Sequence, residues 1–139
     1  MKKKVLFLCT GNSCRSQMAE GLTNQYLGKS FDAFSAGTEA TRVNPLASQV
    51  LTELGIDISS HYSKTFDKFA GQSLDYVITL CVSANEQCPI FFGGVKLVHI
   101  GFDDPSQLTG SPEEVFPEFR RVRDEIKEKL IAYLTGETV

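Results

Sequence analysis

The first thirty residues constrain the fold most, because a short apolar run, a polar turn and a helical pattern follow one another there. The run over residues 4–9 is almost entirely apolar, which is typical of a strand covered on both faces in a parallel sheet. After the turn, apolar residues recur at helical spacing up to Leu27, and Gly28 is placed to end the helix. This order predicts the beginning of an α/β domain.

The same alternation of strands and helices continues along the chain. Further strands are predicted over residues 31–36, 75–80 and 96–100. Further helices are predicted over residues 46–54, with Asn44 as N-cap, Pro45 at the first position and Gly55 as the stop, and over residues 112–134. We therefore expect one domain spanning 1–139, a three-layer α/β domain with a four-stranded parallel sheet flanked by helices.

Composition and charge exclude several classes of protein. The net charge is −3 and no basic run is long enough to track phosphates, which argues against nucleic-acid binding. No stretch approaches the roughly 20 apolar residues that span a bilayer. Lysines precede the first apolar run as in a signal peptide, but that run is too short for one. We expect a cytoplasmic monomer that binds no membrane.

The loop after the first strand carries the chemistry. Five residues, one of them glycine, separate Cys9 from Arg15, and a helix begins directly afterwards. Backbone N–H groups in such a loop can turn inward and bind a tetrahedral oxyanion, while Arg15 contacts two of its oxygens. The same positive field lowers the pKa of a thiol, so we expect Cys9 to be largely thiolate, with Ser16 donating to it. The predicted anion-binding residues are Thr10, Gly11, Asn12, Ser13, Cys14, Arg15 and Ser16.

Cys9 and Arg15 also have simpler interpretations. Cys9 can merely end a buried strand, and Arg15 can merely cap a surface helix. The joint presence of nucleophile, glycine, cation and hydroxyl favours a catalytic loop. For Cys14 we favour the simpler interpretation, a small side chain at the start of the helix.

The string from Val5 to Ser16 resembles the anion loop of the low-molecular-weight protein tyrosine phosphatases, with a cysteine, five residues, an arginine and a serine. The continuation from Gln17 to Gly21 is more similar to the arsenate reductases built on the same fold. In both groups the resemblance implies that the cysteine, here Cys9, is the nucleophile, and that the loop amides and Arg15 hold the anion.

Two further cysteines distinguish a reductase from a phosphatase. The segment around Cys81 and Cys88 resembles the redox segment of thioredoxin-coupled arsenate reductases. The resemblance implies that arsenate is reduced to arsenite through a Cys9–Cys81–Cys88 disulfide relay regenerated by thioredoxin. Glutaredoxin or a small thiol remains open as the donor. A tyrosine phosphatase with spare thiols and a non-catalytic oxyanion or redox sensor are the alternatives.

The cysteine pair also makes a mechanical prediction. In a helix, seven residues separate two Cα atoms by about 10.5 Å, whereas a disulfide needs them within roughly 7 Å. The segment must therefore bend or unwind when Cys81 and Cys88 join. We expect neither a metal nor another cofactor, since His61 and His99 lack the spacing of a zinc site.

Asp104, followed by Pro105, is the remaining catalytic candidate. In the phosphatases an Asp-Pro after the last strand protonates the leaving group, and the resemblance implies the same role for Asp104, with Asp103 a less suitable neighbour. A solvated acidic turn is the alternative. Ser106 and Gln107 follow where the phosphatases carry aromatic residues, which favours a small inorganic anion: arsenate, with phosphate or sulfate competing.

One position departs from the family pattern. Some of the arsenate reductases bind a potassium ion near the loop, and Asn12, Glu20 and Ser35 match their pattern. Lys64 stands where that pattern has an aspartate. We expect the Lys64 ammonium to take the place of the cation.

Overall fold

The structure, a computed structural model, describes residues 2–69, 72–80 and 94–136. Its strands are β1 (Lys3–Cys9), β2 (Phe31–Gly37), β3 (Leu74–Thr79) and β4 (Gly94–His99). Its α-helices are α1 (Arg15–Leu27), α2 (Pro45–Thr52) and α3 (Pro112–Thr135), and short 3₁₀ turns span Phe66–Phe69 and Pro105–Gln107. The boundaries predicted from the sequence differ from these mostly by one or two residues. Helix α1 begins at Arg15, three residues before Met18, the first apolar residue of its pattern.

The sheet is parallel throughout, with the strand order β2-β1-β3-β4. The prediction of a four-stranded parallel sheet is therefore confirmed. The chain leaves β1 to form β2 on one side and later returns to form β3 on the other. The strand order therefore reverses between β1 and β3, and ligands of such sheets bind beside the carboxyl ends of the strands at this point.

Alternating residues of β1 supply the two faces of the sheet. Val5 and Phe7 pack into the larger core cluster, to which α1, α2 and α3 also contribute. Leu6 and Leu8 point to the other face, where Phe69 packs against them. All four of these β1 side chains are fully buried, so the strand is covered on both faces, as its apolar run predicted.

The helix ends follow the signals in the sequence. The Asn44 side chain accepts a hydrogen bond from the N–H of Leu46 at 2.8 Å and caps α2. At α3, Ser111 and Glu114 form a reciprocal capping box. The helix ends at Gly136, whose φ of 81° lies in the left-handed region that suits glycine.

Within the described part of the chain, no helix combines the length and the apolar character required to cross a bilayer.

Candidate active site

Cys9 is the last residue of β1 and lies at the carboxyl edge of the sheet, 2% exposed. It borders a cavity of about 270 Å³ between the anion loop and the residues that follow β4. Arg15 and Asp104 line the same cavity, so the structure brings the three candidate catalytic residues of its described part together. The rim is polar, and consists of Glu39, Thr41, Ser106 and Gln107.

Hydrogen bonds hold four carbonyl groups of the loop. Four consecutive carbonyls, of Thr10, Gly11, Asn12 and Ser13, accept hydrogen bonds from outside the loop. The Thr10 carbonyl accepts from the N–H and hydroxyl of Thr38 and the N–H of Glu39. The donors to the other three are, in order, the hydroxyls of Thr41 and Ser63, the side-chain amide of Gln17, and the N–H of Asn44. In a planar trans peptide the N–H points opposite to the carbonyl. The following N–H groups therefore point away from these donors, as an anion-binding nest requires.

Asn12 connects the loop to the nucleophile. It is fully buried, with a φ of 47° that asparagine tolerates better than most residues. Its side-chain amide donates to Ser16 Oγ at 2.8 Å, and Ser16 Oγ lies 2.8 Å from Cys9 Sγ. Because Ser16 accepts from Asn12, its own hydrogen is available for the Cys9 sulfur. This geometry agrees with the expected contact between Ser16 and Cys9.

Arg15 is a buried cation at the ends of the strands. Its guanidinium is 3% exposed, and Nη1 donates to the carbonyls of Leu80 and Phe102, each at 3.3 Å. Nη2 lies 3.4 Å from Asp104 Oδ2. These contacts fix the guanidinium plane beside Cys9, and they contradict the alternative of a surface cap.

Asp104 faces the cavity, whereas Asp103 faces away from it. Asp104 Oδ1 accepts hydrogen bonds from the N–H of Ser106 at 3.0 Å and its hydroxyl at 2.6 Å. The Asp103 carboxylate instead pairs with Arg121 on α3 at 2.9 Å, with its side chain 68% exposed. The two neighbouring aspartates therefore have different surroundings, and of the two only Asp104 lines the cavity with Cys9.

Cys14 has a different environment from Cys9, although both lie in the loop. It is 3% exposed and occupies the N-cap position of α1 without a side-chain capping bond. Burial raises the pKa of the Cys14 thiol well above its ordinary value, and the negative charges of Asp104 and Cys9 add to that effect against Arg15. Cys14 thus remains a thiol, which agrees with its interpretation as a small side chain at the helix start.

Cys81 and Cys88 lie outside the described residues. Their place in the relay therefore stays a prediction. Leu80, the residue before Cys81, is fully buried, and its carbonyl contacts Arg15. The last described residue before Cys81 thus lies next to Arg15.

The residues that would surround a potassium ion do not fit one. Lys64 is 8% exposed, and its Nζ donates to the carbonyl of Tyr62 at 2.9 Å. The pKa of Lys64 is lowered, because the effect of burial exceeds the opposing effect of the Glu20 charge. Ser35 already donates to Glu20 at 2.5 Å, and the Asn12 side-chain oxygen accepts from the N–H of Lys64. The Ser35 hydroxyl and the backbone N–H of Lys64 thus already donate to the oxygens of Glu20 and Asn12, and the expected replacement of the ion by the Lys64 ammonium stays a prediction.

Reasoning from the sequence missed the residues behind the loop. Gln17, Thr38, Thr41 and Ser63 hold its carbonyls, yet they are separated along the chain and show no common pattern. Gly37 offered a signal, because it ends β2 directly opposite Cys9. A Cβ there would lie 2.6 Å from the carbonyl oxygen of Thr10 and 2.8 Å from that of Cys9, so only glycine fits.

Comparison with known proteins agrees with this geometry. Residues 4–139 match the model of the low molecular weight phosphotyrosine protein phosphatase family. The chain belongs to this family. Within the family it is similar to the arsenate reductases, with 51% identity over 129 residues to arsenate reductase of Halalkalibacterium halodurans, covering 93% of each chain. The family resemblance found in the sequence is thereby confirmed.

Solved structures of the family have the same fold. An arsenate reductase in the phosphate binding state is 34% identical, with a TM-score of 0.81, and the match covers 98% of this chain and 99% of that one. A thioredoxin-dependent arsenate reductase of Corynebacterium glutamicum is 28% identical, with a TM-score of 0.64. That match covers 97% of this chain and 63% of the other.

Proposed function

We propose that this member of the family reduces arsenate to arsenite, with Cys9 as the nucleophile. The observation that carries the proposal is the cavity in which Cys9, Arg15 and Asp104 meet, in a chain about half identical to an arsenate reductase over nearly its full length. The loop amides and Arg15 favour a tetrahedral oxyanion. Among the described residues, those that line this cavity include no aromatic ring that could pack a phosphotyrosine, which favours a small inorganic anion.

In the first step, the Cys9 thiolate attacks arsenic. The As–O bond to one hydroxyl breaks, and Asp104 supplies the proton with which that group leaves as water. Arg15 and the loop amides balance the charge on the remaining oxygens. The product is an adduct with a Cys9–arsenic bond, in which arsenic is still As(V).

In the second step, the Cys81 thiolate attacks Cys9 Sγ. The sulfur–arsenic bond breaks with its electron pair on arsenic, arsenite leaves, and a Cys9–Cys81 disulfide forms. The Cys88 thiolate then attacks Cys81, which restores Cys9 and leaves a Cys81–Cys88 disulfide. An external dithiol reduces that pair. Thioredoxin is the donor we propose, because a similar structure is a thioredoxin-dependent arsenate reductase.

The relay also bears on where the protein acts. Its cysteines must return to the thiol form after each cycle, and thiols are kept reduced in the cytosol. We therefore propose a cytoplasmic enzyme, for which phosphate and sulfate are competing anions.

The test couples arsenate to NADPH oxidation through thioredoxin and thioredoxin reductase. Wild type is expected to turn over, and Cys9→Ser, Cys81→Ser and Cys88→Ser are each expected to lose at least about a hundredfold in rate, as losses of nucleophiles do. Gln25→Ala, at an exposed position of α1, is the control and retains the wild-type rate. Full reductase activity in Cys88→Ser with thioredoxin alone would break the relay. Absence of reduction by wild type, together with rapid hydrolysis of an aryl phosphate, would favour the phosphatase.

A further inference from the structure

Gln17, at the first turn of α1, makes three contacts behind the anion loop. Its side chain is fully buried. Nε2 donates to the carbonyls of Asn12 and Tyr62, each at 3.2 Å, and Oε1 lies 2.9 Å from His61 Nδ1. One side chain thus joins the loop, the helix and the segment around residue 62.

These contacts fix the orientation of the Gln17 amide and the position of the hydrogen on the His61 ring. Both groups facing Gln17 Nε2 are carbonyls, which only accept, so the amide nitrogen must face them and Oε1 must face His61. His61 Nδ1 therefore carries a hydrogen and donates it to Gln17 Oε1. His61 Nε2 lies 3.4 Å from Glu20 Oε2 on α1, and this contact becomes an ion pair only when the ring is protonated.

The contact with Asn12 reaches the anion site through one rigid peptide. Gln17 draws the Asn12 carbonyl to the back of the loop, which directs the N–H of Ser13 to the opposite side. Ser13 lines the active-site cavity. The same residue, Asn12, donates to Ser16, whose hydroxyl contacts Cys9. A change at Gln17 therefore acts on both the anion and the nucleophile.

We propose that Gln17 and His61 are positioning residues, which hold the Asn12–Ser13 peptide so that the loop binds the anion and Ser16 stays on the Cys9 sulfur. Neither touches the substrate. Gln17 makes the direct contact, and His61 keeps the Gln17 amide from rotating. The inference rests on the proposed function only in placing the anion above Cys9.

The experiment measures two quantities that need no turnover. The first is the dissociation constant of inorganic phosphate, and the second is the pH midpoint for alkylation of Cys9 by iodoacetamide, followed by mass spectrometry of its peptide. For Gln17→Ala we expect a phosphate dissociation constant about tenfold higher, as for the loss of one hydrogen bond, and a midpoint at higher pH. Gln17→Glu keeps the shape, loses the N–H donors and should behave likewise.

Two variants of His61 provide the rescue test. His61→Asn retains an N–H close to the place of Nδ1, whereas His61→Ala removes it. We expect His61→Asn to retain near wild-type phosphate affinity and alkylation profile, and His61→Ala to lose severalfold in affinity. Gln25→Ala, an exposed glutamine on the same helix, is the matched control and should be unchanged.

Unchanged phosphate affinity and alkylation profile in folded Gln17→Ala would overturn the proposal, as would equal behaviour of His61→Asn and His61→Ala. If Gln17→Ala does not fold by circular dichroism, the His61 pair decides alone. If wild type binds no phosphate, the alkylation profile still decides. A protein that shows these shifts but never reduces arsenate would contradict the proposed function and leave the positioning role standing.

Discussion

At the scale of single residues, side chains of the same type acquire different surroundings. Cys9 and Cys14 both line the cavity, but Cys9 contacts the Ser16 hydroxyl, whereas burial raises the pKa of Cys14, which makes no capping bond. Asp104 turns toward Arg15, and Asp103 pairs with a surface arginine. The type of a residue sets which chemistry is possible, and the contacts of its side chain decide whether the residue can carry out that chemistry.

Lys64 gives a prediction at this scale. Its buried ammonium donates to the Tyr62 carbonyl, and we expect it to take the place of a bound cation, so activity should be the same in potassium and sodium chloride at equal ionic strength. Lys64→Asp removes that charge and adds a carboxylate near Glu20, and it should make the arsenate reduction rate dependent on potassium. The measurement is the initial rate in each salt.

The control for Lys64 is Lys68→Asp, which makes the same change of charge at an exposed position nearby. It should show no preference between the two salts. A large stimulation of the wild-type enzyme by potassium over sodium would show that Lys64 does not replace the ion.

At the scale of elements, the site is assembled from segments that follow parallel strands. Cys9 ends β1, Gly37 ends β2, and Leu80 and Phe102 follow β3 and β4. Parallel strands place all these segments at one edge. Arg15 joins two of them by donating to the carbonyls of Leu80 and Phe102, so the arginine that we propose to bind the anion also connects the segments at this edge.

The segment with Cys81 and Cys88 gives the prediction at this scale. If it is helical in the reduced protein, the two Cα atoms are about 10.5 Å apart and cannot be bridged without rearrangement. Amide hydrogen exchange over residues 81–89 should therefore become faster on oxidation, while exchange in α3 stays the same. Identical protection of the segment in both redox states would show that no opening accompanies the disulfide.

At the scale of the whole molecule, folding brings distant residues into one hydrogen-bonded unit behind the loop. Ser63 donates to Gly11 across 52 positions, and Arg15 meets Asp104 across 89. These contacts exist only when the sheet is complete. The anion site and the global stability of the domain are therefore linked, and a titrating group within this unit should affect both.

His61 makes that link dependent on pH. Burial lowers its pKa from the ordinary 6.5, and Lys64 acts in the same direction, against the carboxylates of Glu20 and Asp57. The unfolded chain thus takes up a proton at a higher pH than the native state does. Stability is retained above pH 6.5 and falls as the pH drops toward the native pKa.

The measurement is the free energy of unfolding from urea titrations between about pH 7.5 and 5.5, a window that brackets the ordinary histidine pKa. The contribution of one histidine cannot exceed about 1.4 kcal/mol per pH unit. His61→Asn should show a smaller loss over this range than wild type. Equal slopes in the two proteins would assign the acid sensitivity to other groups.

The sequence alone determined the strands and helices, the parallel sheet, and the proximity of Cys9 and Arg15. These depend on local patterns: the apolar run of β1, the caps Asn44 and Ser111, and the short spacing from Cys9 to Arg15. Each involves residues close in the chain, whose backbone geometry fixes their relation. The family resemblance rested on the same short strings, and the comparisons confirmed it.

Only the tertiary structure decided which side chains hold the loop and which charges face it. Thr41 and Ser63 look like ordinary polar residues in the sequence, and they become the partners of the Gly11 carbonyl only when the segments after β2 and α2 lie beside the loop. Gln17 contacts Asn12 locally, but its second partner, Tyr62, is 45 positions away. Buried polar groups must find partners, but the sequence does not say which. That choice follows from the strand order and from close approaches such as that of Gly37.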